Sequence, residues 1–255
     1  MSHAEQMRFV CQVLEQNDIV PQDRSSMRIL EIGSYNVNGG VRALFEGVKE
    51  YVGVDLVSGP GVDLVSPGHQ VSEELGPFDL VIATEVFEHD ANWSLTLEKM
   101  ITLLRPGGTC IVTCASTGRP EHGTERTTPS QSPGTSSGEL SWYRNITKDE
   151  LLTTVTTLSL WPLQVEYEPW AFDLYLWARK WDPREGPKPK TLSKPGLPTI
   201  RVRSITPVWL KILRSPIFLL ARALGQSQPH LVDNFATNYW KVFRLAKAFV
   251  VGPVP

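Results

Sequence analysis

The clearest patterning of apolar and polar positions lies between Arg28 and Asp55. "RILEIGS" is an apolar run with Glu31 near its end and Gly33 at its exit, "VRALFEGV" has helical spacing, and "YVGVDL" is a second β-rich run closed by Asp55. This order predicts strand, tight turn, helix, strand. The turn "GSYNVNGG" is made of small residues and glycines, which let backbone approach a ligand closely. Besides strands near 28–32 and 51–55, apolar runs predict strands near 79–84 and 109–115 and a short one near 62–65. Met7, Val10, Val13 and Leu14 recur at helical spacing and predict a helix over 3–16.

Farther along, Thr147 and Glu150 have capping-box spacing, which predicts a helix from Lys148 to about Leu158. "LQVEYE" and "FDLYLWARK" follow, separated only by Pro169, Trp170 and Ala171. So short a joint fits an antiparallel hairpin and not a crossover. Residues 116–145 are rich in Ser, Thr, Gly and Pro and too long for a passive connector, so a substrate loop or lid is expected there. "DPREGPKPKTLSKPGLP" over 182–198 reads as an extended linker. Beyond it, Thr206-Pro207 and Ser215-Pro216 each predict an N-cap with proline opening a short helix, the second stopped by Gly225. A third helix is expected after Asp233, with Phe235, Tyr239, Phe243, Ala246 and Val250 on one face.

Charge divides the chain at the same boundary. Residues 1–181 carry a net −11 and residues 182–255 a net +9, so the overall −2 conceals an acidic body and a basic tail. Such asymmetry points to a tail with its own partner or one docked on the body. Cys11, Cys110 and Cys114 lie in apolar segments without metal-like pairing, which fits reduced core thiols. The opening "MSHAEQMRF" has no apolar signal region, and no run approaches the ~18 apolar residues of a membrane span, so a cytoplasmic protein is expected.

A strand-turn-helix-strand unit presents backbone N–H groups beside a ligand, with a carboxylate about 20 residues on to accept from ribose hydroxyls. A nucleoside-containing cofactor follows. Counting from Gly33, the other two positions of a G-x-G-x-x-G fingerprint hold Tyr35 and Asn38, which favours a ligand without phosphate. The first loop reads E-I-G-S-x-x-x-N-G, and "YVGVDLVSGPGVDLV", "FDLVIATEVFEHDANW" and "LLRPGGTCIVTCAS" follow in order. Together these motifs resemble the class I S-adenosylmethionine-dependent methyltransferases over Arg28 to Lys180, about 60% of the chain.

The resemblance implies an α/β, Rossmann-like, seven-stranded, mostly parallel sheet with one antiparallel edge strand. To this the sequence adds a C-terminal helical appendage, giving a methyltransferase domain over 1–181, a linker over 182–198 and a basic amphipathic helical extension over 199–255. The implied cofactor is S-adenosyl-L-methionine. Glu31 would bind its amino group or orient the loop, Gly33 and Ser34 would bring backbone to the methionine part, and Asp55 with Leu56 would receive the ribose. The family commonly has an acidic residue near adenine where this chain has Pro67, so the resemblance implies that adenine is held instead by backbone at Gly68, by a water or by His69; Asp63 is the alternative acceptor, or structural. Thr84 and Glu85 would border the methionine part and the sulfonium, and the N-terminal helix often caps the site in the family.

Methyl transfer from a sulfonium needs an acceptor held close and, for a hydroxyl, a base. His89, from an "EH" pair, and His122, in the loop after the 109–115 strand, are the candidate bases. Arg119, Trp142 and Tyr143 flank the expected lid. The spacing of His and Asp predicts no metal cluster. The leading expectation is O-methylation of a small-molecule, sugar or lipid-like hydroxyl, with residues 199–255 meeting a membrane surface or a protein partner. A nucleic-acid or protein methyltransferase docking through the basic tail is the alternative, weakened by an acidic body that repels phosphates. A catalytically silent binding module is the third.

Overall fold

The computed structural model describes residues 4–16, 24–37, 39–135, 141–192, 199–200, 204, 206–225 and 227–251. Its strands are β1 (Arg28–Ile32), β2 (Glu50–Asp55), β3 (Leu64–Val65), β4 (Phe78–Thr84), β5 (Leu104–Ala115), β6 (Leu160–Glu168) and β7 (Asp173–Lys180). They form one sheet in the order β3-β2-β1-β4-β5-β7-β6. Every pairing is parallel except those of β7, which runs antiparallel to both β5 and β6, so the hairpin foreseen between "LQVEYE" and "FDLYLWARK" closes that edge. The order reverses between β1 and β4. Open α/β sheets bind ligands at such a point, in the crevice outside the carboxyl ends of the strands.

Both faces of the sheet are covered, which is why its strands read as nearly unbroken apolar runs. Successive side chains alternate between faces. Leu30 and Ile32 of β1 and Val81 and Ala83 of β4 join the core beneath α2 (Trp93–Leu103) and α3 (Lys148–Thr156). Ile29, Leu80 and Ile82 join the opposite core, under α1 (Ala4–Gln16) and the turn 41–45. On that side Phe9 of α1 stacks on Tyr175 of β7, ring centroids 4.9 Å apart. The capping box of α3 forms as its spacing predicts, Thr147 Oγ1 accepting from Glu150 N and Glu150 Oε2 from Thr147 N.

Four local expectations are corrected. "VRALFEGV" closes only a five-residue 3-10 turn over Val41–Phe45, hemmed by Gly39 and Gly47, both at positive φ. β5 begins at Leu104, five residues earlier than its β-rich run, through an irregular register between Phe78 and Leu80 of β4. The last helix, α5 (Pro229–Val251), starts before Asp233 and holds that residue in its second turn. The two short helices expected around Pro207 and Pro216 are one, α4 (Val208–Leu224), with Pro216 inside it and Gly225 at its C-cap.

An interior proline costs a helix about 3 kcal/mol. The offset comes from packing: Ile217 is fully buried against Phe172, and Phe218 stacks on Trp170 at 4.4 Å. These are worth about 1.5–3 and 0.5–1.5 kcal/mol. Arg214 also donates to the Trp170 carbonyl. Val208, Trp209, Ile212 and Leu219 of α4 stay exposed. The side chains of Phe243, Ala246 and Val250, and linker residues 193–198, lie outside the described residues. Among the described residues no helix is long and apolar enough to cross a membrane.

Candidate active site

At the carboxyl edge of β1, β2 and β4 lies a cleft of about 240 Å³. Gly33, Asp55, Leu56, Gly68, His69, Thr84, Glu85, His89 and Trp142 all line it, so most of the residues singled out from sequence meet in one place. Gly33 turns the chain at φ +78°, and a Cβ there would meet Val86 Cγ2 at 2.2 Å, so glycine is required by space as well as by conformation. Asp55 ends β2, its Oδ2 accepting from Tyr35 N at 3.0 Å and its Oδ1 from Leu56 N at 2.7 Å. The Val57 N–H also acts on this carboxylate, which with two lone pairs on each oxygen still keeps acceptor capacity. Pro67, Gly68 and His69 form the far wall. Glu85 follows β4 in the left-handed region at φ +57°, an uncommon conformation for a side-chain-bearing residue.

Glu31 and Ser34 are buried but do not line the cleft. Glu31 shares a face with Ile29, and its Oε2 accepts from the Tyr51 hydroxyl at 2.7 Å. Burial pushes the Glu31 carboxyl up to about 7, against the pull of Tyr51 and Arg42. Asp63 takes the structural role: it accepts from Gly53 N at 2.7 Å and pairs with Arg42 at 2.8 Å. Asn38 lies outside the described residues.

The polar loop after β5 folds back over this edge. Gln131 to Thr135 and Trp142 join the cleft wall, and a Cβ on Gly134 would stand 3.0 Å from Asp55 Oδ1. Arg119 turns inward and pairs with Asp173 at 3.2 Å and Glu85 at 3.6 Å. Burial works against its charge, but the two carboxylates outweigh that and push its pKa up. Burial and the neighbouring Glu88 push Glu85 up to about 8, with Arg119 opposing. α1 reaches the same corner, where Gln6 Nε2 donates to Asp173 Oδ2 at 3.4 Å.

His122 is half-buried and does not line the cleft, but it lies behind His89, the two rings edge to face at 5.4 Å. Tyr143 packs edge-on against both, at 5.3 and 5.1 Å. Burial pulls His89 down to about 4 and His122 well below its ordinary value, so both imidazoles are neutral. Glu88, fully buried, completes the group at 3.8 Å from His122 Nε2. Sequence reasoning did not foresee this gathering. The tandem Glu85, Glu88 and His89 was its visible half, but the path of the loop carrying His122 was not.

The C-terminal helices complete the loop's support. Asp233 of α5 accepts from Gly118 N at 2.8 Å and from Asn145 Nδ2 at 2.9 Å, and Asn145 in turn accepts from the Tyr143 hydroxyl at 2.9 Å.

The model of a family described as a methyltransferase domain matches residues 3–146. No curated relative matches the sequence. Similar solved structures include the CurJ carbon methyltransferase (14% identity, TM-score 0.49, 70% of this chain and 55% of that one). Another is phosphoethanolamine N-methyltransferase 2 of Haemonchus contortus with S-adenosyl-L-methionine (14%, 0.49, 68% and 53%). A third is the 1,6-didemethyltoxoflavin-N1-methyltransferase of Burkholderia thailandensis (20%, 0.44, 70% and 88%). The match thus spans about half the length of the first two.

Proposed function

The chain belongs to the methyltransferase-domain family, and from that premise we propose that it is an S-adenosylmethionine-dependent methyltransferase acting on a hydroxyl of a small-molecule acceptor. The observation that carries the reading is Asp55: a carboxylate at the end of β2, oriented by two backbone N–H groups, facing the cleft with acceptor capacity to spare for a ribose. The residues present fit the cofactor, since Gly33 leaves bare backbone where a side chain has no room. The bound cofactor would supply an activated methyl group on a sulfonium.

In this reading Asp55 and Leu56 hold the ribose, Gly68 the adenine through its backbone, and Gly33, Thr84 and Glu85 the methionine part. Glu31 and Ser34 sit behind and brace the loop. The segment 129–135 closes over Asp55 and excludes water, with Gly134 small enough to leave the carboxylate accessible. Acceptance of a hydroxyl is supported by His89 at the cleft wall, backed by His122 and Glu88, the polar groups placed to loosen its proton.

Asp55→Ala should weaken binding of S-adenosylmethionine by about 1.5 to 3 kcal/mol, roughly ten- to a hundredfold in Kd. Calorimetry checks this, and unchanged affinity would sink the assignment.

The tail supports one partner reading. Val208, Trp209, Ile212 and Leu219 expose an apolar face on a segment of net positive charge, which suits an anionic membrane surface. The protein should sediment with phosphatidylserine-containing vesicles, less so as salt rises and less so in Trp209→Glu. Equal binding to neutral vesicles would argue against it.

A further inference from the structure

We propose that Glu88, His89 and His122 bind one divalent transition-metal ion, of the zinc, cobalt or manganese kind, at the acceptor end of the cleft. One ligand atom from each lies within 4.8 Å of the other two. For two of the three residues the fold has placed these atoms out of water without hydrogen-bond partners among the described residues. Neither carboxylate oxygen of Glu88 accepts a hydrogen bond, although the residue is fully buried, and His89 Nδ1 is equally buried and unpartnered. A buried unpaired carboxylate is among the most costly groups a fold can hold, and binding a cation is one of the few ways to offset it.

The rest of the corner directs the same groups toward an ion. His122 Nδ1 lies 3.1 Å from the Pro120 carbonyl, which can only accept, so the proton sits on Nδ1 and the lone pair on Nε2, the nitrogen 3.8 Å from Glu88. A metal-ligating histidine is oriented by such a bond on its other nitrogen. His89 is held through the Trp142 backbone, leaving Nδ1 as its ligand atom. Tyr143, edge-on to both rings, fixes their planes. Arg119 is engaged by Asp173 and Glu85, and among the described residues Glu88 has no arginine or lysine at ion-pair distance.

Two neutral imidazoles and one carboxylate suit a borderline divalent ion better than magnesium, which prefers oxygen ligands. Three protein ligands would leave a position open for an acceptor, and His89 is also part of the cleft wall. Resting on the methyltransferase reading, the ion would take the acceptor's oxygen. The O–H bond breaks with its proton passing to water, the oxygen forms a bond to the methyl carbon, and the carbon–sulfur bond breaks with its electron pair staying on sulfur.

The test is metal binding itself. The full chain, stripped with chelator, is titrated with Zn²⁺, Co²⁺ and Mg²⁺ by calorimetry, with visible absorption for Co²⁺ and thermal unfolding for Zn²⁺. We expect one equivalent of Co²⁺ with a ligand-field band, a rise in Tm with Zn²⁺, and much weaker Mg²⁺ binding. Glu88→Gln and His122→Ala should each weaken Zn²⁺ by at least about tenfold. Glu88→Gln keeps the shape of the side chain, and its circular dichroism and S-adenosylmethionine affinity establish that the fold survives. No stoichiometric binding, or unaltered binding in both variants, overturns the proposal. Cofactor affinity measured in chelator separates the two readings: metal bound without cofactor leaves this site and removes the methyltransferase reading, and cofactor bound without metal does the reverse.

Discussion

Glu31 and Glu88 are both buried carboxylates near the carboxyl edge of the sheet, 5% and 0% exposed, and they differ in what faces them. At the β1–β2 corner, Tyr51 donates to Glu31 and Arg42 pairs with Asp63 nearby, so each group has a hydrogen-bond or ion-pair partner. At the β4–β5 corner, Asp173 and Glu85 pair with Arg119 and Gln6 donates to Asp173, while Glu88 faces the His122 imidazole, with His89 and Tyr143 packed beside it. The first corner is a structural solution, complete in itself. The second crowds three carboxyl groups into a dry place where burial raises the pKa of all three, the kind of arrangement that clusters at functional sites.

The largest test of this contrast removes the guanidinium paired with both Asp173 and Glu85. Arg119→Ala would leave Asp173 and Glu85 buried without their partner, and breaking such a pair from one side costs about 3–5 kcal/mol. Urea unfolding should show a loss of that size. A loss below about 1 kcal/mol would mean that water or another group already balances the corner, and the contrast would fail.

The two corners were also unequally legible in the sequence. Asp55, Gly33, Thr84 and Glu85 sit within a residue or two of strand ends, and strand ends are set by local apolar runs, so period alone brought them to one edge. The same locality revealed the capping box at Thr147 and the β6–β7 hairpin. The Glu88, His89 and His122 group needs a 33-residue excursion to fold back. That path is fixed by tertiary contacts: Arg119 drawn inward by Asp173, Asn145 held by Asp233 of α5, and Arg144 N donating to the Glu88 carbonyl at 2.9 Å. Propensity carries none of these. The continuous α4 was hidden for a related reason, since Pro216 marks a break locally and the burial of Ile217 and the stacking of Phe218 on Trp170 override it.

The smaller test is at Glu31 and reads through pH. Its folded pKa, about 7, lies above the ordinary 4.5, chiefly because burial disfavours the charged form. Between those values the native state keeps a proton that the unfolded chain has released. The stability it contributes is therefore fully present below pH 4.5 and is lost as pH rises through 7; a rise of that size corresponds to about 3 kcal/mol. Glu31→Gln keeps an acceptor for the Tyr51 hydroxyl and removes the ionisation. It should match the parent near pH 4.5 and exceed it by up to about 3 kcal/mol at pH 8, read from urea unfolding at the two values. If the variant is instead less stable at pH 8, Arg42 stabilises the Glu31 carboxylate more than burial penalises it, and the β1–β2 corner depends on charge as much as the β4–β5 corner does.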